Sequence, residues 1–156
     1  MIANMAPVIA AKWNVISWLN KPIDFGMHMK GARVFGSHKT IRGVVVATGA
    51  GAGTGIVQAM VMHQEILFGF LIGAVLGFGA IAGDAVKSFF KRRLRIASGQ
   101  MWIPFDQIDF VIGATIAGMF FIHISLQHFI TAVIFIGAAS YLVSFIGVAL
   151  HFKKTL

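Results

Sequence analysis

Only five acidic residues occur in this 156-residue chain, Asp24, Glu65, Asp84, Asp106 and Asp109, and three of them stand where they can do chemistry. Asp84 closes the apolar run Gly69 to Asp84, and at about 100° per residue Asp84, Lys87, Ser88, Lys91, Arg92 and Arg95 share one helical face. Asp106 and Asp109 follow Pro104 at i, i+3 spacing, which puts both on one face of a first helical turn. Acids at a helix start also serve as caps, and Asp84 paired to Lys87 or Lys91 beneath a lipid-facing basic stripe is the simpler alternative. Taken together, three carboxylates ringed by lysine and arginine suit a divalent metal plus a polyphosphate. Magnesium in particular is held by one or two carboxylates and substrate phosphates, with fixed cations covering the remaining phosphate charge.

A complementary basic element lies upstream. Gly36-Ser-His-Lys39-Thr40-Ile-Arg42-Gly43 is a small-residue turn carrying a lysine, a hydroxyl and an arginine just before an apolar stretch. Turn amides bind anions, and arginine offers phosphate a bidentate fork. It is not a P-loop, because Ser37 and His38 intervene between Gly36 and Lys39-Thr40 and no strand-then-helix pattern surrounds them. The histidines His28, His38, His63, His123, His128 and His151 show no zinc-ligand spacing and read as structural or interfacial.

The elements that must position these groups are membrane helices. The chain is 58% hydrophobic and 12% charged, whereas a soluble domain carries roughly a quarter charged residues. Four stretches, near 43–61, 66–86, 109–124 and 129–150, approach the roughly 20 residues that cross about 30 Å of hydrocarbon. The expected fold is therefore an all-α integral membrane protein, a polytopic bundle of four to five transmembrane helices in one domain over residues 1–156. Two loops, about 12–42 and 87–108, form the site. Met1 to Ala11 is apolar but shorter than a span; the tail of a helix, an interfacial segment and a plug against the bundle all remain open. Gly49, Gly51, Gly53 and Gly55, then Gly73/Gly77 and Gly79/Gly83, are small-xxx-small pairs that let helices approach closely, within one chain or between copies, so self-association stays open.

Composition also excludes. A disordered chain and a nucleic-acid-binding domain need far more polar sequence, and with no cysteine there is no disulfide, thiolate metal site or cysteine nucleophile. The net charge of +8 follows instead from the positive-inside rule. If residues 1–42 do not cross, then Lys12, Lys21, Lys30, Arg33, Lys39, Arg42, Lys87, Lys91, Arg92, Arg93, Arg95, Lys153 and Lys154 all fall on one side, the cytoplasmic one. Trp13, Trp18 and Trp102 fit an interfacial belt.

The motif blocks resemble the CDP-archaeol synthase family, relatives of the CTP:phosphatidate cytidylyltransferases. They are Asn4-Met-Ala-Pro7, Pro22-Ile-Asp24-Phe-Gly26, Gly36-x-x-Lys39-Thr40-x-Arg42-Gly43, Gly83-Asp84-x-x-Lys87-Ser88-Phe-x-Lys91-Arg92-Arg93 and Pro104-x-Asp106-Gln-x-Asp109-Phe110. The resemblance implies transfer of CMP from CTP to a lipid phosphate, with release of pyrophosphate, by an integral membrane enzyme using magnesium. It implies Asp84, Asp106 and Asp109 as metal ligands, a catalytic Lys87 beside them, and Lys39, Thr40, Arg42, Lys91 and Arg92 on the triphosphate. Asn4 and Asp24 lie in matching blocks without an assigned step. Two features depart from the family pattern: the chain begins almost at the Asn-x-x-Pro block, which in the family follows a full apolar helix, so a truncated start and a four-span form are both open, and Ile41 stands where a tryptophan is common. A small anion or nucleotide transporter with the same basic loops is the competing class, and a non-catalytic membrane assembly protein the third.

Overall fold

The computed structural model describes residues 1–149 except Lys30, Ser98, Gly99 and Met101, and leaves aside the side chains of Ser144 and residues 146–149. Lys30, His151, Lys153 and Lys154, counted above among the cations and histidines, lie outside the described residues, as does Leu150 at the end of the fourth expected span. Five helices carry the fold: α1 (Ile2–Lys12), α2 (Ile41–Val61), α3 (Ile66–Arg93), α4 (Phe105–Gly118) and α5 (Leu126–Ala149). One addition to the all-α expectation is a two-residue hairpin in the first loop, β1 (His28–Met29) and β2 (Ala32–Arg33), with His28 opposite Arg33.

The N-terminal stretch forms α1, a short helix that docks chiefly against α2. Helix α3 runs past the expected 86 to Arg93 and carries the basic stripe outward on a continuous helix, as its periodicity predicts. The third expected span, 109–124, is corrected. Helix α4 begins at Phe105 but stops at Gly118, and its 14 residues reach only about 21 Å. Its continuation turns back instead, with the Phe121 and Ile122 amides both donating to the Gly118 carbonyl, and Ser125 then caps α5 by accepting from the His128 amide. Among the described residues three helices, α2, α3 and α5, are long and apolar enough to cross a membrane.

Packing is inverted relative to a water-soluble protein. The buried hydrophobic residues are mostly alanines, Ala47, Ala52, Ala59, Ala80 and Ala85 among them, while Phe68, Leu71, Phe120 and Phe135 face outward. In lipid that distribution costs nothing, since the surroundings are as apolar as the side chains, and association depends on close backbone contact. The glycines supply it. Gly51 and Gly55 of α2 meet Gly69, Gly73 and Gly77 of α3, and Gly79 and Gly83 meet Gly113 of α4. Of the overlapping pairs in α2, only Gly51/Gly55 is used; Gly49 and Gly53 face open space.

A Cβ added at Gly77 would lie 2.6 Å from the Ala47 carbonyl oxygen, a backbone atom that cannot swing aside. Gly77→Val is therefore expected to destabilise the protein by about 1–3 kcal/mol, the usual cost of overpacking, whereas Gly53→Ala should be neutral or slightly stabilising. Thermal unfolding in detergent distinguishes the two, and equal midpoints would remove the α2–α3 glycine seam as the packing constraint.

Candidate active site

The first loop is built around a buried acid. The Asp24 side chain is 0% exposed and accepts from the Gly26 amide at 3.1 Å, the Phe35 amide at 3.2 Å and Arg33 Nη2 at 3.1 Å. The ends of the loop are pinned where the Ile23 amide donates to the Lys39 carbonyl (2.9 Å) and the Ile41 amide to that of Lys21 (2.8 Å). Thr40 then caps α2, its hydroxyl accepting from the Gly43 amide at 3.1 Å. Gly36, at φ +93°, lets the loop press against the end of α3: a Cβ there would meet Arg92 Nε at 3.3 Å. Phe35 packs on Phe89, which Arg93 covers at 4.4 Å from the ring centroid. The result of this folding is one contact across 45 residues, the Lys39 ammonium on the Asp84 carboxylate.

The second half comes from α3 and α4. Lys87 Nζ lies 3.1 Å from Asp84, 2.8 Å from Asp106 and 2.7 Å from Asp109, so one ammonium gathers all three carboxylates. One turn on, Lys91 is buried and reaches Asp106 at 3.1 Å and the Gln100 carbonyl. Asp106 also accepts from the Trp102 amide at 2.6 Å, fastening the loop before α4 to the start of that helix. The tight seam at Gly83 and Gly113 brings α3 and α4 close enough for Lys87 to bridge them.

Asp84, Lys87 and Lys91 of α3 and Asp106 and Asp109 of α4, all singled out from the sequence, thus meet at one end of the bundle, together with Lys39. Lys39, Asp84, Lys87, Lys91 and Arg92 share a polar cavity of about 380 Å³. It continues through Lys39 and Asp84 into a second cavity of about 540 Å³, whose wall includes Asn4, Thr40 and Arg42. Two expected phosphate ligands have other engagements: the Thr40 hydroxyl serves as a helix cap, and the buried Arg42 donates to Asn14 Oδ1 at 3.4 Å. Asp24 lines neither cavity and acts on the site through the loop it shapes. The sequence reads His38 as structural or interfacial, yet it lines both cavities; its place inside the Gly36–Gly43 turn is the available signal.

The residues present fit a divalent cation. The donor set is all oxygen, and Asp109 Oδ1 is buried without a hydrogen-bond partner while Oδ2 lies 2.7 Å from the Lys87 ammonium that stands among the three acids. Around that ammonium the acids stand too far apart to form a closed cage of their own, and among the described residues no group of three potential ligands does so. Oxygens from a bound phosphate would have to complete the shell, the usual arrangement for magnesium.

Residues 2–156 match the family described as CarS-like, CDP-archaeol synthase. A CDP-archaeol synthase of Pyrobaculum aerophilum is 30% identical over 154 residues, covering 98% of this chain and 90% of that protein. One from Methanopyrus kandleri is 41% identical over 97 residues, where the match spans 62% of this chain and a little over half, 55%, of the relative. A solved structure described as "Structural insight into an intramembrane enzyme for archaeal membrane lipids biosynthesis" superposes with a TM-score of 0.77 at 30% identity, covering 94% of this chain and 86% of the other.

The buried Asp24 makes the first loop pH-sensitive. Burial alone would raise its carboxyl pKa, but the Gly26 and Phe35 amides and the Arg33 guanidinium outweigh it and hold the group below the ordinary carboxylate range. A depressed folded pKa stabilises the loop at pH values above the unfolded pKa of about 4, and that contribution is lost as pH falls through the folded value. Limited proteolysis between Lys21 and Lys39 should therefore be slow at neutral pH and accelerate in acid, while Asp24→Asn should be cut readily even at neutral pH. If Asp24→Asn proves as resistant as the parent at neutral pH, the carboxylate is not the organiser of this loop.

Proposed function

The chain belongs to the CDP-archaeol synthase family, and from that premise we propose that it is a membrane-embedded, CTP-dependent cytidylyltransferase that joins CMP to a lipid phosphate at the Lys87 cluster. The observation that carries this assignment is the convergence of Asp84, Asp106 and Asp109 with Lys39, Lys87 and Lys91 at one end of the helices. A phosphate oxygen of the lipid attacks the α-phosphorus of CTP. One P–O bond forms, the bond to the bridging oxygen breaks, and pyrophosphate leaves with the electron pair. The attacking group is already an anion, so no general base is required. The barrier is repulsion between two polyanions, which positioning and fixed charge reduce.

The geometry supports the following roles. Lys39 and Arg92, both on the wall of the polar cavity, hold the triphosphate, with Lys91 steered toward it by Asp106. Asp106 has most of its acceptor capacity engaged with Lys87, Lys91 and the Trp102 amide; Asp84 and Asp109 have the less committed oxygens. A divalent cation, assigned to magnesium, would be held on this acidic side chiefly by Asp84 and Asp109 and supplies charge stabilisation to the phosphate oxygens when bound. Lys87 keeps the three carboxylates from repelling one another and faces the reacting phosphates. Arg42 and Asn4 border the larger cavity, on the side left for the nucleoside. The first loop and the end of α3 meet at the same membrane face, and by the positive-inside rule that face is cytoplasmic, where CTP is available.

Asp84→Asn and Asp109→Asn are each expected to lower CTP-dependent pyrophosphate release at least about a hundredfold while the protein still purifies folded. Lys39→Ala should raise the CTP KM about tenfold, a loss of roughly 1.4 kcal/mol in nucleotide binding. Steady-state assays with a lipid phosphate and labelled CTP check both; parental turnover in the two asparagine variants would reject the carboxylate roles, and an unchanged KM would remove Lys39 from the nucleotide site.

A further inference from the structure

A third cavity, of about 560 Å³, runs along the outer junction of α3 and α4. Its wall is apolar, with Phe78, Val86, Ile112 and Ile116 representative, and among the described residues the ionisable side chains bordering it are Lys87 and Asp109, toward its loop end. The helices are antiparallel here, Gly79 lying against Ala117 and Gly83 against Gly113. The groove extends along α3 from Phe78 to Phe90, twelve residues or about 18 Å, a little over half of a 30 Å hydrocarbon layer. It is about as deep as one leaflet and carries a cation one turn before its loop end, where Phe90, Trp102 and Phe105 close it.

The three cavities divide the substrates between them. The 540 Å³ cavity merges with the polar one through four residues, Phe35, His38, Lys39 and Asp84, and it carries polar groups from Asn4 to Arg42 along its wall. The α3–α4 groove shares a single residue with the polar cavity, Lys87. It touches the 540 Å³ cavity only across a lipid-facing ridge of α3, Phe78, Ala82 and Val86. An occupant with an apolar body and one anionic end fits the groove. A nucleotide, with its charged phosphates at one end and a flat base at the other, fits the polar cavity and the mixed wall of the 540 Å³ cavity, where Lys39, Arg42 and Asn4 stand among apolar side chains.

We infer that the α3–α4 groove is the acceptor lipid's binding site: its chain lies against Ile112 and Ile116 in the leaflet on the loop side, and its phosphate meets the nucleotide at Lys87, the wall common to both rooms. The assignment rests on the cytidylyltransferase activity proposed above and adds to it the side from which the lipid enters. Asp109 at the same end does not repel that phosphate as an isolated charge would, because Lys87 covers it at 2.7 Å.

The test fills the groove. Ile116 is 54% exposed, about seven residues along α4 from Asp109 and clear of the helix seam, so Ile116→Trp adds bulk where the chain would lie. Its lipid-phosphate KM is expected to rise at least tenfold while binding of a fluorescent CTP analogue changes less than twofold. Val57→Trp, equally lipid-facing on α2 but outside every cavity described, should change neither. In parallel, a lipid phosphate carrying a diazirine in its chain, photolysed on the unmodified protein in detergent, should label residues 108–120, and unlabelled lipid phosphate should compete. A parental lipid KM in Ile116→Trp, labelling confined to α1 and α2, or labelling that does not compete would each overturn the groove assignment. Absence of any CDP-lipid product from the unmodified protein, CTP and a panel of lipid phosphates would instead overturn the activity on which it rests.

Discussion

The Lys87 ammonium is the interaction on which the site depends. Three carboxylates within about a side chain's reach of one another at the end of an apolar bundle would repel strongly, and in a medium that solvates charge poorly the cost of leaving any of them unpaired is several kcal/mol. One lysine touching all three, with Lys39 and Lys91 on the flanks, makes the cluster three acids against three bases. Each contact joins different parts of the chain. Asp84 ties in the first loop through Lys39, Asp106 ties in the loop before α4 through the Trp102 amide, and Asp109 ties α4 to α3. The same contacts that balance the charge therefore assemble the cavity, and a cluster neutral in itself, bordered by Arg92 and Arg42, leaves a net positive surround for a polyphosphate.

That arrangement is possible only because α3 has glycine on two faces. Toward α2 it presents Gly69, Gly73 and Gly77, toward α4 Gly79 and Gly83, and both seams bring backbones into contact. A single bulky residue at Gly83 would separate α3 from α4 at the level of Asp109 and lengthen the Lys87 bridges. Close approach, more than any polar network within the bundle, sets the distances at its charged end. The shortness of α4 follows the same logic: it needs to reach from the site to the Gly79 contact and does so within 14 residues.

Much of this was legible in the sequence because it depends on periodicity and type. The 100° spacing placed Asp84, Lys87 and Lys91 on one face, the i, i+3 acids marked the start of α4, and the glycine pairs marked the seams. What was not legible depends on which of several equivalent local choices the tertiary structure makes. Thr40 reads equally as a phosphate ligand or as an N-cap, and the chain spends its hydroxyl on the cap. Gly49/Gly53 and Gly51/Gly55 are identical patterns offset by two residues, and only the register against α3 selects the second. Asp24 gave no hint of complete burial, because its partners, Arg33 and the Phe35 amide, come from a hairpin too short to leave a strand signal and from the turn just after it. The end of α4 was missed because Met119 to Ile124 is as apolar as the helix it follows; only the turn at Gly118 separates them.

The position of the charges also decides between an enzyme and a conduit. A pathway for an anion across the membrane needs polar or charged groups at successive depths, since an unsolvated charge at the centre of the hydrocarbon is costly. Here α2 carries no ionisable residue after Arg42, α3 none before Asp84, and α4 none after Asp109. Beyond the site the α2–α3 and α3–α4 seams are glycine and alanine in backbone contact. The cations instead crowd one end, where phosphates arriving from the aqueous side meet an apolar groove opening laterally to lipid. Charge concentrated at a boundary cannot conduct, but it can hold a water-soluble polyanion beside a membrane-bound one, which is the arrangement that joining nucleotide to lipid demands.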